Sequence, residues 1–297
     1  MKQQIRDLLK AKKAILLAHN YQPAEVQDVA DLTGDSLELS IKASKTDAEV
    51  IVFCGVHFMA ETACILCPDK TVLLPRTDAG CPMADMITAD SLKKRLVELP
   101  PMPVVTYVNS SAAVKALSTI CCTSANVVKV ANSVDHHEML MTPDRNLAMY
   151  AAARTDKKIH IWDGCCPYHD ALKPEDVIAA RQAHPDAVFM AHPECRQDVL
   201  EMADVINSTS GMIKFASESP AKSFIVGTET GLLHGLKKAN PGKSFYPASL
   251  KLECAEMKKI TLDDIVKSLE YMNGRVTVPE DIRLAALSSV QRMIELA

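Results

Sequence analysis

No apolar run in this chain approaches the roughly 18 residues needed to cross a bilayer, and Met1 to Lys13 alternate charged with apolar side chains, so no apolar signal core is present. Basic residues do not predominate either. The 33 Lys and Arg stand against 37 Asp and Glu, a formal charge of −4, with both signs mixed along the chain. Nothing there advertises nucleic acid or an anionic membrane as a partner. No second CxxC accompanies Cys64 and Cys67, so the close cysteine pairs of a closed zinc site are missing. These absences leave a cytoplasmic globular protein with small-molecule chemistry as the expectation.

What is present is a composition 48% hydrophobic over 297 residues, enough for a large core. Apolar runs at Ala14–Ala18, Val50–Val56, Val72–Leu74 and Val104–Val108 alternate with helical patterns. That alternation predicts an α/β fold with parallel sheets.

The chain also repeats itself. LLAHNY at 16–21, VTYVNS at 105–110 and FMAHPE at 189–194 each read as a short strand ending in polar residues, at offsets of 89 and 84 residues. A hydroxyl-rich turn opening a helix follows each one: GDS at 34–36, TSAN at 123–126 and NSTSG at 207–211. Next come GVHFMAE at 55–61, TPDRN at 142–146 and GTETG at 227–231, and then a last strand running into Cys81, Cys166 and Cys254, which are 85 and 88 residues apart. Three homologous α/β/α-layered units about a pseudo-threefold axis, with the active site at the common centre, would gather one cysteine from each. The expected bounds are 1–98, 99–184 and 185–278, with a C-terminal helix at 279–297 packing back on the body.

In a reducing compartment, ten cysteines are more often metal ligands, reactive thiols or packing than disulfides. Three thiolates from three units suit an iron–sulfur cluster, because a four-iron cluster held by three cysteines keeps one iron open to substrate. Cys166 is preferred to Cys165 because Pro167 mirrors the Pro82 that follows Cys81. The Cys64–Cys67 pair reads as packing or surface thiols. Cys121–Cys122 is ambiguous, since neighbouring residues point in different directions.

Ser36, Ser124, Ser208 and Thr209 stand where helices begin and unpaired N–H groups attract anions, although ordinary N-capping would also use them. His19, Tyr21, Tyr107, Asn109, His192 and Glu194 fall at the carboxyl ends of parallel strands, the edge where α/β sheets bind ligands. They are candidate acid–base and orienting groups. His57, His136, His137, His160, His169, His184 and His234 lie outside the repeated positions and read as solvated or core side chains.

LAHNYQ at 17–22, GDS at 34–36, GVHFMAE at 55–61, CPMA at 81–84, YVNS at 107–110, TSAN at 123–126, HPE at 192–194 and GTE at 227–229 together resemble the quinolinate synthases. The likeness runs over essentially the whole chain. It implies the threefold fold with one cysteine per domain and a [4Fe-4S] cluster on Cys81, Cys166 and Cys254 with one open iron. The implied reaction joins iminoaspartate, supplied by an aspartate-oxidising partner enzyme, to dihydroxyacetone phosphate, losing phosphate and two waters to give quinolinate for NAD biosynthesis. By the same resemblance Tyr21 and Glu194 transfer protons and His19 is a catalytic or orienting contact. Tyr107 and Asn109 position the intermediate, Ser36, Ser124, His192, Ser208 and Thr209 hold phosphate and carboxylate groups, and Met59 lines the cavity.

The sequence departs from the family's pattern at Cys64 and Cys67, where lysine and asparagine are common, and at Thr142, where glycine is usual. Another cluster-dependent hydro-lyase shares the features read from the residues themselves. A non-enzymatic iron–sulfur sensor or electron carrier, taking a fourth ligand such as Cys165, shares them too. The C-terminal stripe Ile282, Ala286, Val290, Met293 and Ala297 predicts a helix, begun by Pro279, that packs on the body.

Overall fold

The structure, a computed structural model, describes residues 1–297. In the first sheet β1 (Ala14–His19), β2 (Leu32–Gly34), β3 (Val50–Cys54) and β4 (Thr71–Leu73) stand in the order β2-β1-β3-β4. In the second, β5 (Val104–Tyr107), β6 (Ile120–Cys122), β7 (Glu138–Thr142) and β8 (Lys158–Ile161) are ordered β6-β5-β7-β8. The third, with β9 (Val188–Ala191), β10 (Val205–Ile206), β11 (Ser223–Gly227) and β12 (Ser244–Pro247), runs β10-β9-β11-β12. One topology therefore occurs three times, and all these pairings are parallel. The chain is α/β with three short parallel sheets.

Parallel strands are covered on both faces and so read as unbroken apolar runs. β3, VIVFC, is buried at every residue. β1 is half-buried at its start and buried over its last four residues, so its carboxyl end lies inside the molecule. The first two strands of each sheet are in a register that sets their exits side by side: His19 against Gly34, Tyr107 against Cys122 and Ala191 against Ile206. Polar loops leaving those strands face a common interior.

The end of the chain departs from a plain triplication. β13 (Arg275–Val276) pairs antiparallel with β4, and the helix Leu262–Tyr271 packs on the helix Lys2–Ala11. Two elements within the expected third unit, 185–278, thus lie against the first unit. The turn into β13 requires Gly274: its φ is +74°, and a side chain there would meet the Leu74 carbonyl oxygen at 2.3 Å. The last helix, Glu280–Glu295, lies across β6 and the helices His57–Leu66 and Ala112–Lys115. It buries Ala286, Val290 and Met293, while Ile282 is half-buried and Ala297 exposed. One continuous core links apolar residues of all three sheets, so the units are not separate bodies. No helix is long and apolar enough to cross a membrane.

Candidate functional site

The three sets of strand exits enclose a narrow cavity of about 40 Å³. The first unit lines it with His19, Tyr21 and Ser36, the second with Tyr107, Asn109 and Ser124, and the third with His192, Glu194 and Thr209. A second cavity, of about 50 Å³, adjoins it. Tyr21, Phe58, Asn109, Glu194 and Met257 line both, so the two lie side by side. Cys81, Cys166 and Cys254 line the second cavity, each on the loop after the fourth strand of its own sheet.

Each cysteine starts a short helical turn and its sulfur accepts backbone N–H groups from that turn: Met83 and Ala84 for Cys81, His169 for Cys166, Glu256 and Met257 for Cys254. The helix Pro167–Ala171 takes Cys166 as its N-cap with proline at its first position, and Cys254 caps the turn Ala255–Lys258. Burial nonetheless pushes all three thiols up, Cys81 to about 12, and Glu194 adds to the effect at Cys81 and Cys166. Thiols in this state are deprotonated when a cation seated among them binds the sulfurs and releases their protons. Cys166 Sγ and ligand atoms of His169 and Glu194 all lie within 4.8 Å of one another. Three convergent sulfurs with imidazole and carboxylate beside them are a donor set that fits a soft, thiolate-bound metal group.

Glu194 is the electrostatic centre. Burial would raise its pKa, but His169 and His192 together hold it well below the usual carboxylate range. Its Oε2 lies 3.0 Å from His169 Nδ1 and 3.2 Å from His192 Nδ1, whereas its buried Oε1 has no hydrogen-bond partner. Asn109 Oδ1 is likewise buried and unpartnered. Two orphaned acceptors on the shared wall are costly unless a ligand supplies donors.

A chain of polar contacts leads away from Glu194. His169 Nε2 is 2.9 Å from Thr228 Oγ1, which is 2.6 Å from the Tyr21 hydroxyl. With Glu194 ionised, His169 donates through Nδ1, its Nε2 accepts from Thr228, and Thr228 accepts from Tyr21. Burial raises Tyr21 well above its ordinary value and lowers His19 to about 3, so both are neutral at pH 7. His192 Nε2 lies 3.1 Å from Ser124 Oγ, tying the third unit to the second.

The hydroxyl turns divide by role. Only Ser208 caps a helix, Thr209–Glu218, accepting Gly211 N–H while donating to Asp35 Oδ2 at 3.1 Å. Asp35, not Ser36, caps the helix Ser36–Lys45, accepting Leu37 and Glu38 N–H. That leaves Ser36 at the first helical position, facing the cavity. Ser208 lines an open depression on the outer side instead, with its hydroxyl engaged by Asp35. Thr209 Oγ1 accepts from Asn20, joining the first and third units.

Met59 does not line the cavity. It is buried with its sulfur against Gly55, where a side chain on the glycine would meet it at 2.8 Å, and Phe58 takes the cavity position. Successive helical residues point about 100° apart, so choosing the neighbour misses the wall. His169 was read from sequence as a bystander, yet it contacts Cys166, Glu194 and Thr228. The available signal was Cys-Pro-x-His at 166–169, which puts the ring one turn after a proline-started helix. Thr228 and Asp35 were also missed. Cys165 lies outside both cavities, and Cys64 and Cys67 are buried with their thiols donating to the Val276 and Ala43 carbonyls.

A family model described as "Quinolinate synthetase A protein" matches residues 3–295. Among curated relatives, the quinolinate synthase of Geotalea uraniireducens (strain Rf4) is 56% identical over 296 residues, covering 100% of this chain and 97% of the relative. Quinolinate synthase 1 of Methanosarcina acetivorans is 54% identical over 290 residues, covering 98% and 95%. The quinolinate synthase of Thermodesulfovibrio yellowstonii is 52% identical over 295 residues, covering 99% and 97%.

Proposed function

Because this chain belongs to the quinolinate synthetase A family and is an enzyme, we propose that it condenses iminoaspartate with dihydroxyacetone phosphate, releasing phosphate and two waters to form quinolinate for NAD biosynthesis. The observation that carries the reading is the pair of adjoining cavities, with three cysteines on one and the orphaned Glu194 and Asn109 oxygens on the wall common to both. Cys81, Cys166 and Cys254 would hold a [4Fe-4S] cluster, whose fourth iron, free of protein, supplies a Lewis acid for loss of water.

The protein's own groups do the rest. Tyr21 delivers or takes a proton at its hydroxyl, and Thr228 and His169 pass it toward Glu194. Glu194 Oε1 and Asn109 Oδ1 accept donors of the bound intermediate. Neutral His19 orients it from the first unit, and Tyr107 from the second. Carboxylate and phosphate groups lie against the starts of the ten-residue helices at Ser36 and Thr209, with Ser124 and His192 beside them. The burial of His19, Tyr21, Tyr107, His192, Glu194 and Thr228 keeps water from the reacting groups. We place the units at 1–98, 99–184 and 185–278, followed by the terminal helix, and the enzyme in the cytoplasm, fed by an aspartate-oxidising enzyme.

The test is anaerobic preparation, iron and sulfide analysis, and quinolinate formation from the two substrates, for wild type and for Cys81→Ala, Cys166→Ala, Cys254→Ala and Cys165→Ala. The first three variants lose cluster and product, and Cys165→Ala keeps both. A wild type that binds iron and sulfide but makes no quinolinate overturns the reaction.

A further inference from the structure

The three units can be superposed residue by residue through one backbone bond. The residue leaving the third strand donates its N–H to the carbonyl two positions before the cysteine: His57 to Ala79 at 2.9 Å, Arg145 to Gly164 at 2.7 Å and Thr230 to Leu252 at 2.8 Å. The residue just before each donor is therefore equivalent in the three units, and these residues are Val56, Asp144 and Glu229. Two are buried acids, 2% and 1% exposed.

Each acid holds the N–H of a residue just after it with one oxygen and a cysteine N–H with the other. Asp144 Oδ1 accepts Leu147 N–H at 2.7 Å, capping the helix Arg145–Ala152, and its Oδ2 accepts Cys166 N–H at 2.9 Å. Glu229 Oε2 accepts Gly231 N–H at 2.7 Å, and its Oε1 accepts Cys254 N–H at 3.1 Å. Lys258 completes the second arrangement, 2.6 Å from Glu229 Oε1 and donating to the Tyr21 carbonyl. In the first unit Val56 has no acceptor, and the carboxylate comes from the third unit: Glu256 Oε2 accepts Gly80 N–H, next to Cys81, at 2.7 Å.

One oxygen of each acid is enough to hold its own loop, as a helix cap at Asp144 and as a turn contact to Gly231 N–H at Glu229. Two buried carboxylates that each spend their second oxygen on the backbone of the cysteine itself are arranged for the cysteine. Resting on the reading that these cysteines hold an iron–sulfur group, we propose that Asp144 and Glu229 are positioning residues that lock the Cys166 and Cys254 loops, and so aim their sulfurs, with Glu256 doing the same for the Cys81 loop. The bond fixes the φ of each ligand residue, and a thiolate whose backbone cannot swing releases its metal slowly. Groups that orient ligands in this way typically change metal affinity 10–100-fold when removed.

The isosteric variants Asp144→Asn and Glu229→Gln keep size and shape but turn one acceptor oxygen into an NH2 that faces an N–H. Glu256→Ala, at a partly exposed side chain, supplies a variant whose folding is not in question. Asp35→Asn is the control, a buried capping carboxylate that touches no cysteine loop. Each protein is reconstituted anaerobically with ferrous iron and sulfide. The readouts are the rate of iron release to a chelator, the electron paramagnetic resonance spectrum of the reduced protein, and the unfolding midpoint of the metal-free form. The proposal expects iron release about tenfold faster or more and an altered spectrum in the first three variants, with wild-type values in Asp35→Asn. Unchanged release and spectra in variants that fold, or an equal change in Asp35→Asn, make the acids ordinary loop contacts and overturn it. A wild type that takes up no iron and sulfide removes the underlying reading, and the inference with it.

Discussion

Replacing Lys115 by methionine tests how the wall of the cavity is held. The ammonium is fully buried, 2.6 Å from the Ser110 carbonyl, 3.5 Å from that of Phe58 and 5.5 Å from the Phe58 ring centre. It thus ties the backbone next to Asn109, in the second unit, to that of Phe58, in the first. Methionine matches the length and fills the space but donates nothing. Loss of a charged hydrogen bond costs roughly 1.5–3 kcal/mol, and loss of the contact with the ring about 0.5–2 kcal/mol. Against this, the desolvation penalty that lowers the Lys115 pKa disappears. The net expectation is a destabilisation of about 2–3 kcal/mol. Unfolding entropy for 297 residues is on the order of 0.6 kcal/mol/K, so the midpoint falls by about 4 °C. Thermal unfolding of the metal-free protein at pH 7 measures it. A variant as stable as wild type, or more so, would refute the reasoning, because the ammonium would then cost as much to bury as its two carbonyls return.

Tyr21→Phe removes one hydroxyl from the polar chain and Thr228→Val interrupts it one step later; each lowers turnover by about 10²–10⁴-fold with little change in KM, as steady-state kinetics will read, and retained turnover in both excludes the route. Gly231→Ala sets a methyl 2.5 Å from the Tyr21 carbonyl oxygen, so the tyrosine must shift; turnover is expected to fall by about tenfold or more, since small misplacements cost that much, while a fully active variant means the loop yields freely. Asp28, bonded to His234 and Lys238 at 3.0 Å each, has its pKa lowered to about 2 by those partners. A depressed carboxylate stabilises above its unfolded value of 3.8 and loses that contribution as pH falls toward 2. Asp28→Asn therefore costs at most about 1 kcal/mol at pH 6, as partly exposed pairs do, and urea unfolding should show the gap to wild type closing at pH 3; a gap that is the same at both values refutes the assignment.

The threefold α/β plan was legible because each copy writes the same local words in the same order, and an apolar run bounded by polar turns means a strand wherever it stands. The chain alone also determined which cysteines recur, since Cys81, Cys166 and Cys254 each close a copy at nearly constant spacing, and it marked the strand-end residues His19, Tyr107 and His192. Direction was not legible. Whether Phe58 or Met59 faces the cavity depends on how a helix is rotated against its sheet, and packing sets that rotation. His169, one turn from Cys166, reaches Glu194 and Thr228 only because a short helix of one unit points into the loops of another. β13 crosses back to the first sheet because β4 leaves an edge there, which no local pattern announces. Tertiary structure decided these matters because they rest on contacts between residues far apart in the chain, such as Thr228 with Tyr21 and Glu256 with Gly80, whereas periodicity and spacing report only what each segment does by itself.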